Sequence, residues 1–186
     1  MNWLKLKKDY MLDEDGNGMG DSLDLVVLGA WHGKGKRKGF YGNYLLACYN
    51  PDSEEFETIS KIGTGFSEEA LETVKKELDV HIIDAPRPYY KYNDGDKHVP
   101  DVWFDAQVVW EVRCADFTVS PVYQAAVGLA DDIKGISVRF PRYLRTRDDR
   151  KATTALSSAD VYEYYRNQAM LKNKGDKKGD KSEWSD

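Results

Sequence analysis

The 186-residue sequence is poor in cysteine, in histidine and in long apolar segments. Its two cysteines, Cys48 and Cys114, are too few for a disulfide framework or a cysteine-based zinc site, and they favour a reducing compartment. The longest apolar run, residues 25–28, is far shorter than the roughly 20 residues that cross a bilayer. The N-terminus alternates leucine with lysine and has no apolar signal core. We therefore expect neither a secreted protein nor a membrane partner.

Self-contained catalytic and metal-binding motifs are also missing. The three histidines are dispersed, and no His or Cys pair has metal-ligand spacing, so no metal ligand is predicted. The glycines between residues 33 and 39 have neither P-loop nor dinucleotide-binding spacing, and there is no Gly-x-Ser-x-Gly elbow. Residues 91–95, which we place in a loop, approach the nucleotidylation motif Lys-x-Asp-Gly but contain one residue too many. These absences predict a chain without its own nucleophile.

The net charge of −5 argues at first against nucleic acid, but the charges are unevenly distributed. Residues 52–79 contain nine acids and three lysines, whereas residues 139–151 contain six bases and two acids. A third segment, residues 31–42, contains no acid and four bases, which are Lys34, Lys36, Arg37 and Lys38. The local field decides whether a phosphate chain binds, so these clusters are either ordinary solvated faces or an electrostatic footprint for nucleic acid.

Short alternating segments predict a mainly β fold. The predicted strands are residues 3–10, 23–31, 44–49, 55–62, 108–113 and 117–120, with at least one more in 136–147, bent at Pro141. Ser67 is a candidate N-cap for a helix to about Leu78, and Ser157 begins a second helix to about Met170. Several short strands with one inserted and one terminal helix indicate a small Greek-key barrel, of which the OB-fold is the common nucleic-acid-binding type.

Two motifs in this framework carry phosphate chemistry. Lys5 and Lys7 share one face of the first predicted strand, so two ammonium groups could bind one phosphate, although the spacing alone favours an ordinary solvated strand face. In residues 139–150, we expect Tyr143, Arg145 and Arg147 on one strand face, followed by Asp149, which can hold a guanidinium in place.

Phe140 stands among these arginines and has two interpretations from sequence. An exposed aromatic ring there would stack on bases or wedge between them. The alternative is a basic edge strand whose Phe140 side chain packs in the core. Spacing alone does not decide between the two.

The two motifs resemble motifs V and VI of ATP-dependent DNA ligases, and the intervening segments resemble the eukaryotic DNA ligase I type. Those segments are residues 20–27, 33–37, 61–66, 100–104, 109–112 and 134–142. The resemblance covers residues 3 to about 170. It implies a mainly β OB-fold Greek-key barrel with one inserted helix and a C-terminal helix. The predicted divisions are a motif V strand (1–10) at the junction with an adenylation domain, the OB-fold domain (11–156), a helix (157–170) and, from its Lys, Gly, Asp and Ser composition, a disordered charged tail (171–186).

The same resemblance implies part of a monomeric nuclear enzyme of DNA replication, repair and recombination that seals nicked duplex DNA with ATP and Mg²⁺. Lys5 and Lys7 would contact the adenylate phosphate, and Arg147 and Asp149 would orient the departing pyrophosphate. Arg139 would dock on the adenylation domain of the same chain, and Phe140 would enter the minor groove at the nick. The DNA-binding residues expected are Lys34, Lys36, Arg37, Lys38, Arg139, Phe140 and Arg142.

Two departures and two alternatives accompany this resemblance. Arg150 stands where motif VI usually has lysine, and Lys-x-Asp-Gly is absent, so the isolated chain is predicted to be inactive. One alternative is a stand-alone OB-fold module for single-stranded nucleic acid, which would present an aromatic stacking platform. The other is the OB domain of an mRNA capping enzyme, against which residues 61–66 and 100–104 favour a ligase.

Overall fold

The computed structural model describes residues 22–170. The strand predicted at residues 3–10, with Lys5 and Lys7, lies outside these residues, as does the predicted tail at 171–186. The proposed domain boundaries at both ends therefore remain predictions.

Ten strands and two α-helices make up the described range. The strands are β1 (Ser22–His32), β2 (Tyr41–Asn50), β3 (Glu55–Ile62), β4 (Ile82–Ile83), β5 (Tyr90–Lys91), β6 (Val102–Phe104), β7 (Val109–Arg113), β8 (Asp116–Ser120), β9 (Gly135–Arg139) and β10 (Arg142–Thr146). Helix α1 (Glu68–Asp79) follows β3, and helix α2 occupies residues 158–170. Two 3₁₀ turns are present at Gly35–Arg37 and Ala152–Thr154. The prediction of a mainly β fold with one inserted and one terminal helix is confirmed.

Strand β1 is the centre of the main sheet, whose order is β10-β7-β1-β2-β3-β5. Its neighbours β2, β6 and β7 are antiparallel to it, whereas β3 and β5 pair in parallel. Strands β8 and β9 form a separate antiparallel pair. The amides of Gln124 and Ala125, in the segment between them, both donate to the Thr58 carbonyl of β3 at 2.9 Å. These bonds attach the pair to the main sheet.

The core lies on both faces of β1. Leu25 and Val27 belong to one apolar cluster with Trp110, while Val26 and Leu28 belong to a second cluster. Burial on both faces explains why this strand is a continuous apolar run rather than an alternating one. Helix α1 contributes Val74 and Leu78 to the first cluster. Its predicted N-cap is confirmed, since the Ser67 hydroxyl accepts from the Ala70 amide at 3.0 Å.

Some local predictions were wrong. Lys91 does not lie in a loop but in β5, where it pairs with Glu57 of β3. The short strands β4 and β6 were not predicted, because each has only two or three residues and its pairing is set by tertiary contacts. The segment around Pro141 is a turn between two separate strands rather than one bent strand.

Candidate nucleic-acid interface and phosphate site

The loop between β1 and β2 presents the first basic cluster to solvent. Lys34, Lys36 and Lys38 are exposed, whereas Arg37 is half-buried and donates from Nη1 to the Gly42 carbonyl at 2.9 Å. Gly39 has φ +89°, a conformation that glycine adopts without strain. Arg37 therefore fixes the loop, and the three lysines remain available for an anionic partner.

An aromatic contact joins this loop to β10. The Arg37 guanidinium carbon lies 6.0 Å from the Phe66 ring centroid, and Phe66 stacks on Tyr143. The Tyr143 amide also donates to the Thr64 carbonyl at 2.9 Å. A Cβ added to Gly65 would lie 2.7 Å from Cγ of Arg142. A glycine at position 65 therefore lets the segment before α1 approach β10 more closely than any other residue would. The structure thus brings the basic loop and Arg142 to neighbouring positions.

Phe140 occupies the turn between β9 and β10 and is 76% exposed, so it is not a core residue. Its φ is +56°, a left-handed conformation that costs a non-glycine residue about 1–2 kcal/mol. The preceding Arg139 lies with its guanidinium carbon 5.7 Å from the Phe140 ring centroid. Arg139 also makes a bidentate pair with Asp116, donating from Nε at 2.6 Å and from Nη2 to the second oxygen. The turn presents an apolar ring held beside a cation.

A β-bulge divides the second basic cluster. In the ladder between β10 and β7, Tyr143 pairs with Val112, and Arg145 pairs with the adjacent β7 residue, Glu111. Leu144 is therefore the additional β10 residue that forms the bulge. The prediction that Tyr143, Arg145 and Arg147 share one face is therefore wrong. Tyr143 packs against the core, and Arg145 lies on the opposite face with Glu111.

Arg147 is the most tightly held cation of the cluster. Its Nε and Nη2 each donate to one oxygen of Asp149 at 3.0 Å, and Nη1 donates to Oδ1 of Asp24 at 3.3 Å. Its side chain is 16% exposed. A guanidinium has five N–H groups, and these bonds use three, which leaves two for another acceptor. The arrangement can therefore bind a phosphate oxygen while the arginine stays anchored.

The Arg147–Asp149 pair also changes the acidity of both groups. The hydrogen bonds from Arg147 lower the pKa of Asp149 to about 2. The hydrogen bond to Asp149, assisted by the charge of Asp24, raises the pKa of Arg147 above its usual value despite the opposing effect of desolvation. Both side chains stay charged throughout the physiological range.

Two acids on neighbouring strands complete this site, and sequence analysis missed both. Asp24 of β1 also lies 3.4 Å from Nε of Arg150, and Glu111 of β7 accepts from Nε of Arg145 at 2.6 Å. Each is the one acid in a mostly apolar strand, which is the signal that could have identified them. A cleft of about 230 Å³ beside Arg147 is lined in part by Thr146, His81 and Arg150.

Within residues 22–170, no group of three or more His, Cys, Asp or Glu side chains is placed to hold a metal ion. No helix of the same range is long and apolar enough to span a membrane. Lys5 and Lys7 lie outside these residues, so their role in binding the adenylate phosphate beside Arg147 and Asp149 stays a prediction.

Comparison with known proteins places these features in a family. The family model for the C-terminal region of ATP-dependent DNA ligases matches residues 37–150. The chain is 53% identical to DNA ligase 1 of Dictyostelium discoideum over 169 residues, 91% of this chain and 14% of the relative. It is 50% identical to DNA ligase 1 of Arabidopsis thaliana over 179 residues, 96% of this chain and 22% of the relative. The chain thus spans less than a quarter of the length of these relatives.

Solved structures confirm the OB-fold prediction. The ligase domain of LigD from M. tuberculosis matches with a TM-score of 0.56 at 20% identity, covering 73% of this chain and 38% of that one. A mycobacterial DNA ligase D matches with a TM-score of 0.52 at 20% identity, covering 74% of this chain and 38% of that one. These similarities show the fold, and the family model, which matches more than half of the chain, shows that the chain belongs to the ATP-dependent DNA ligases, as their C-terminal region.

Proposed function

We propose that this chain is the OB-fold domain of an enzyme that uses ATP to seal nicks in duplex DNA, and that it supplies cations rather than the adenylated lysine. The observation that carries the proposal is Arg147, which two carboxylates hold in place while two of its N–H groups stay free. Such a guanidinium is suited to the oxygens of a polyphosphate, which it can contact without first losing conformational freedom.

In this proposal, Arg147 and Asp149 act in enzyme adenylation. When bound, ATP would pass its AMP group to a lysine of the adenylation domain and release pyrophosphate, whose concentrated charge the Arg147 guanidinium would stabilise. Lys5 and Lys7 would contact the adenylate phosphate. Mg²⁺ would act together with ATP in the complete enzyme, and we do not expect this chain alone to hold either of them.

The DNA contacts we propose lie on the surface formed by the basic loop and the β9–β10 turn. Lys34, Lys36 and Lys38 would contact phosphates, and Arg37 would hold the loop in position. Phe140 would enter the minor groove at the nick. Apolar side chains of other minor-groove-binding proteins insert between base steps in the same way. Arg142 lies between the loop lysines and Phe140. Arg139 would leave Asp116 and pair with a group on the adenylation domain. An exposed ion pair like this one contributes little, so exchanging it costs little.

The nucleophile would come from elsewhere in the complete enzyme. In this chain, the lysine whose surroundings come nearest to the nucleotidylation motif is Lys91. Its Nζ lies 3.9 Å from the buried carboxylate of Glu57. Glu57 also accepts from the Ala126 amide at 3.1 Å and from the Ser158 hydroxyl, so Lys91 neutralises a structural acid. We therefore place the nucleophile in an adenylation domain of the same chain. As the sequence resemblance implies, we further propose that the complete enzyme is monomeric and nuclear and acts in replication, repair and recombination.

The single-strand-binding alternative would need a row of exposed rings on the sheet. In the described range, the large aromatic side chains that are exposed are Tyr89 and Phe140. They lie on separate segments, before β5 and after β9, and form no platform. The identity of about 50% to DNA ligase 1 proteins likewise favours a ligase over a capping enzyme.

Salt-dependent binding of nicked duplex tests the DNA contacts. Because phosphate contacts release counterions, we expect weak binding whose affinity falls steeply between low and moderate salt. Replacing Lys34, Lys36 and Lys38 by alanine would flatten that dependence by roughly one unit of slope per lost contact. Replacing Lys75 and Lys76 of α1 is the matched control. Affinity insensitive to salt, or equal losses in both variants, would contradict the proposal.

A further inference from the structure

Two carboxylates lie directly opposite each other in the centre of the phosphate site. Asp24 of β1 pairs with Glu111 of β7 in the antiparallel ladder, on the same face of the sheet. Both side chains are about four-fifths buried. Like charges at directly opposed positions destabilise a sheet, so this pair requires compensating cations.

Three arginines of the motif VI segment provide that compensation. Glu111 accepts from Arg145, and the two oxygens of Asp24 contact Arg147 and Arg150 separately, at 3.3 and 3.4 Å. The Asp24 carbonyl accepts from the Leu156 amide at 2.9 Å. Asp24 therefore ties the segment after β10 to the central strand at three points.

The two acids that hold Arg147 differ in how firmly they are themselves held. Asp149 is 67% exposed and lies two residues away on the same segment, so it moves with Arg147. Asp24 lies on β1, the central strand, which pairs with β7 at this position and with β2 and β6 further along. A group on a central strand is the better anchor for a functional side chain.

We propose, building on the function proposed above, that Asp24 is a positioning residue that directs the free N–H groups of Arg147 toward the departing pyrophosphate. Asp24 does not contact the nucleotide. The same proposal gives Arg150 a role, because Nε of Arg150 contacts the second oxygen of Asp24 and so shares the negative charge of that carboxylate with Arg147. Without Asp24, Arg147 would keep its charge and its Asp149 partner but lose its fixed direction.

The test uses Asp24→Asn in the complete enzyme, because asparagine keeps the shape of the side chain and removes the charge. We expect the rate constant of self-adenylation with ATP to fall about tenfold. Sealing of a pre-adenylated nick by the same protein should change less than about twofold, and this also reports that the variant is folded. Asp105→Asn is the matched control, since it makes the same change at a partly buried aspartate that pairs with Arg87 outside this site, and it should leave both rates nearly unchanged.

A double-mutant cycle separates positioning from general stability. If Asp24 acts through Arg147, adding Asp24→Asn to Arg147→Ala should slow self-adenylation no further. An additive loss, an equal loss in Asp105→Asn, or faster adenylation in Asp24→Asn would overturn the inference while leaving the proposed function intact. If Arg147→Ala itself left self-adenylation unchanged, both the inference and the proposed role of Arg147 would be wrong.

Discussion

The ring of Phe66 stacks on the ring of Tyr143, with centroids 4.6 Å apart and planes 15° from parallel. Phe66 also faces Arg37, so one side chain links the basic β1–β2 loop to β10. Neither Phe66 nor Tyr143 carries charge, yet their contact joins the loop that carries the lysines to the strand that carries Arg142.

Replacing Phe66 by leucine tests this link. Leucine keeps most of the apolar volume but loses the ring stacking, so we expect a loss of roughly 1 kcal/mol in the free energy of unfolding. Urea denaturation measures that loss, and titration with nicked duplex at low salt should show weaker binding. Tyr89→Leu is the control, because it removes an aromatic ring outside this surface. Duplex affinity that falls equally in the two variants would contradict the role of Phe66.

Phe140→Ala should weaken nick sealing in the complete enzyme and leave the stability of the fold almost unchanged. Because the ring is exposed, we expect the free energy of unfolding to change by less than about 0.5 kcal/mol. Phe117→Ala, at a buried phenylalanine of β8, should cost roughly 3–5 kcal/mol. Thermal or urea unfolding of both variants makes the comparison. A large loss in Phe140→Ala would mean that the ring supports the core.

The sequence predicted the strands of the barrel well because their apolar patterns are long and bounded by turns. It also predicted that Asp149 could hold a guanidinium, since the two partners lie close along the chain. It did not predict that Leu144 forms a bulge, which reverses the face of Arg145. Nor did it predict the approach of Asp24 to Arg147, which depends on the register of β1, β7 and β10.

The acidity of Asp149 gives a test of its pair with Arg147. Its folded-state pKa of about 2 lies below the value of about 3.9 for an unfolded chain. The charged carboxylate therefore stabilises the fold fully above about pH 4, and this contribution disappears as the pH falls through 2. Carboxyl-carbon NMR titration should show a midpoint near 2, and Arg147→Ala should return it toward 3.9. A midpoint near 4 in the unaltered protein would mean that the pair does not form.

The two thiols should be unreactive in the folded protein. Cys48 and Cys114 are buried, and burial raises the pKa of each to about 12, so almost no thiolate is present at neutral pH. We expect Ellman's reagent to modify neither at pH 8 without denaturant, and both once urea unfolds the chain. Rapid modification of either thiol under native conditions would contradict its burial.

The chain is proposed to bring cations to a nucleotide that another domain holds, without supplying the nucleophile. The most direct test incubates it with α-labelled ATP and Mg²⁺, alone and with a separately prepared ligase adenylation domain, and then separates the products by denaturing electrophoresis. We expect no covalent label on the 21.3 kDa chain under either condition, and sealing of nicked duplex only when both proteins are present. A labelled band from this chain alone would show that it carries its own nucleophile and would contradict the proposed division of labour.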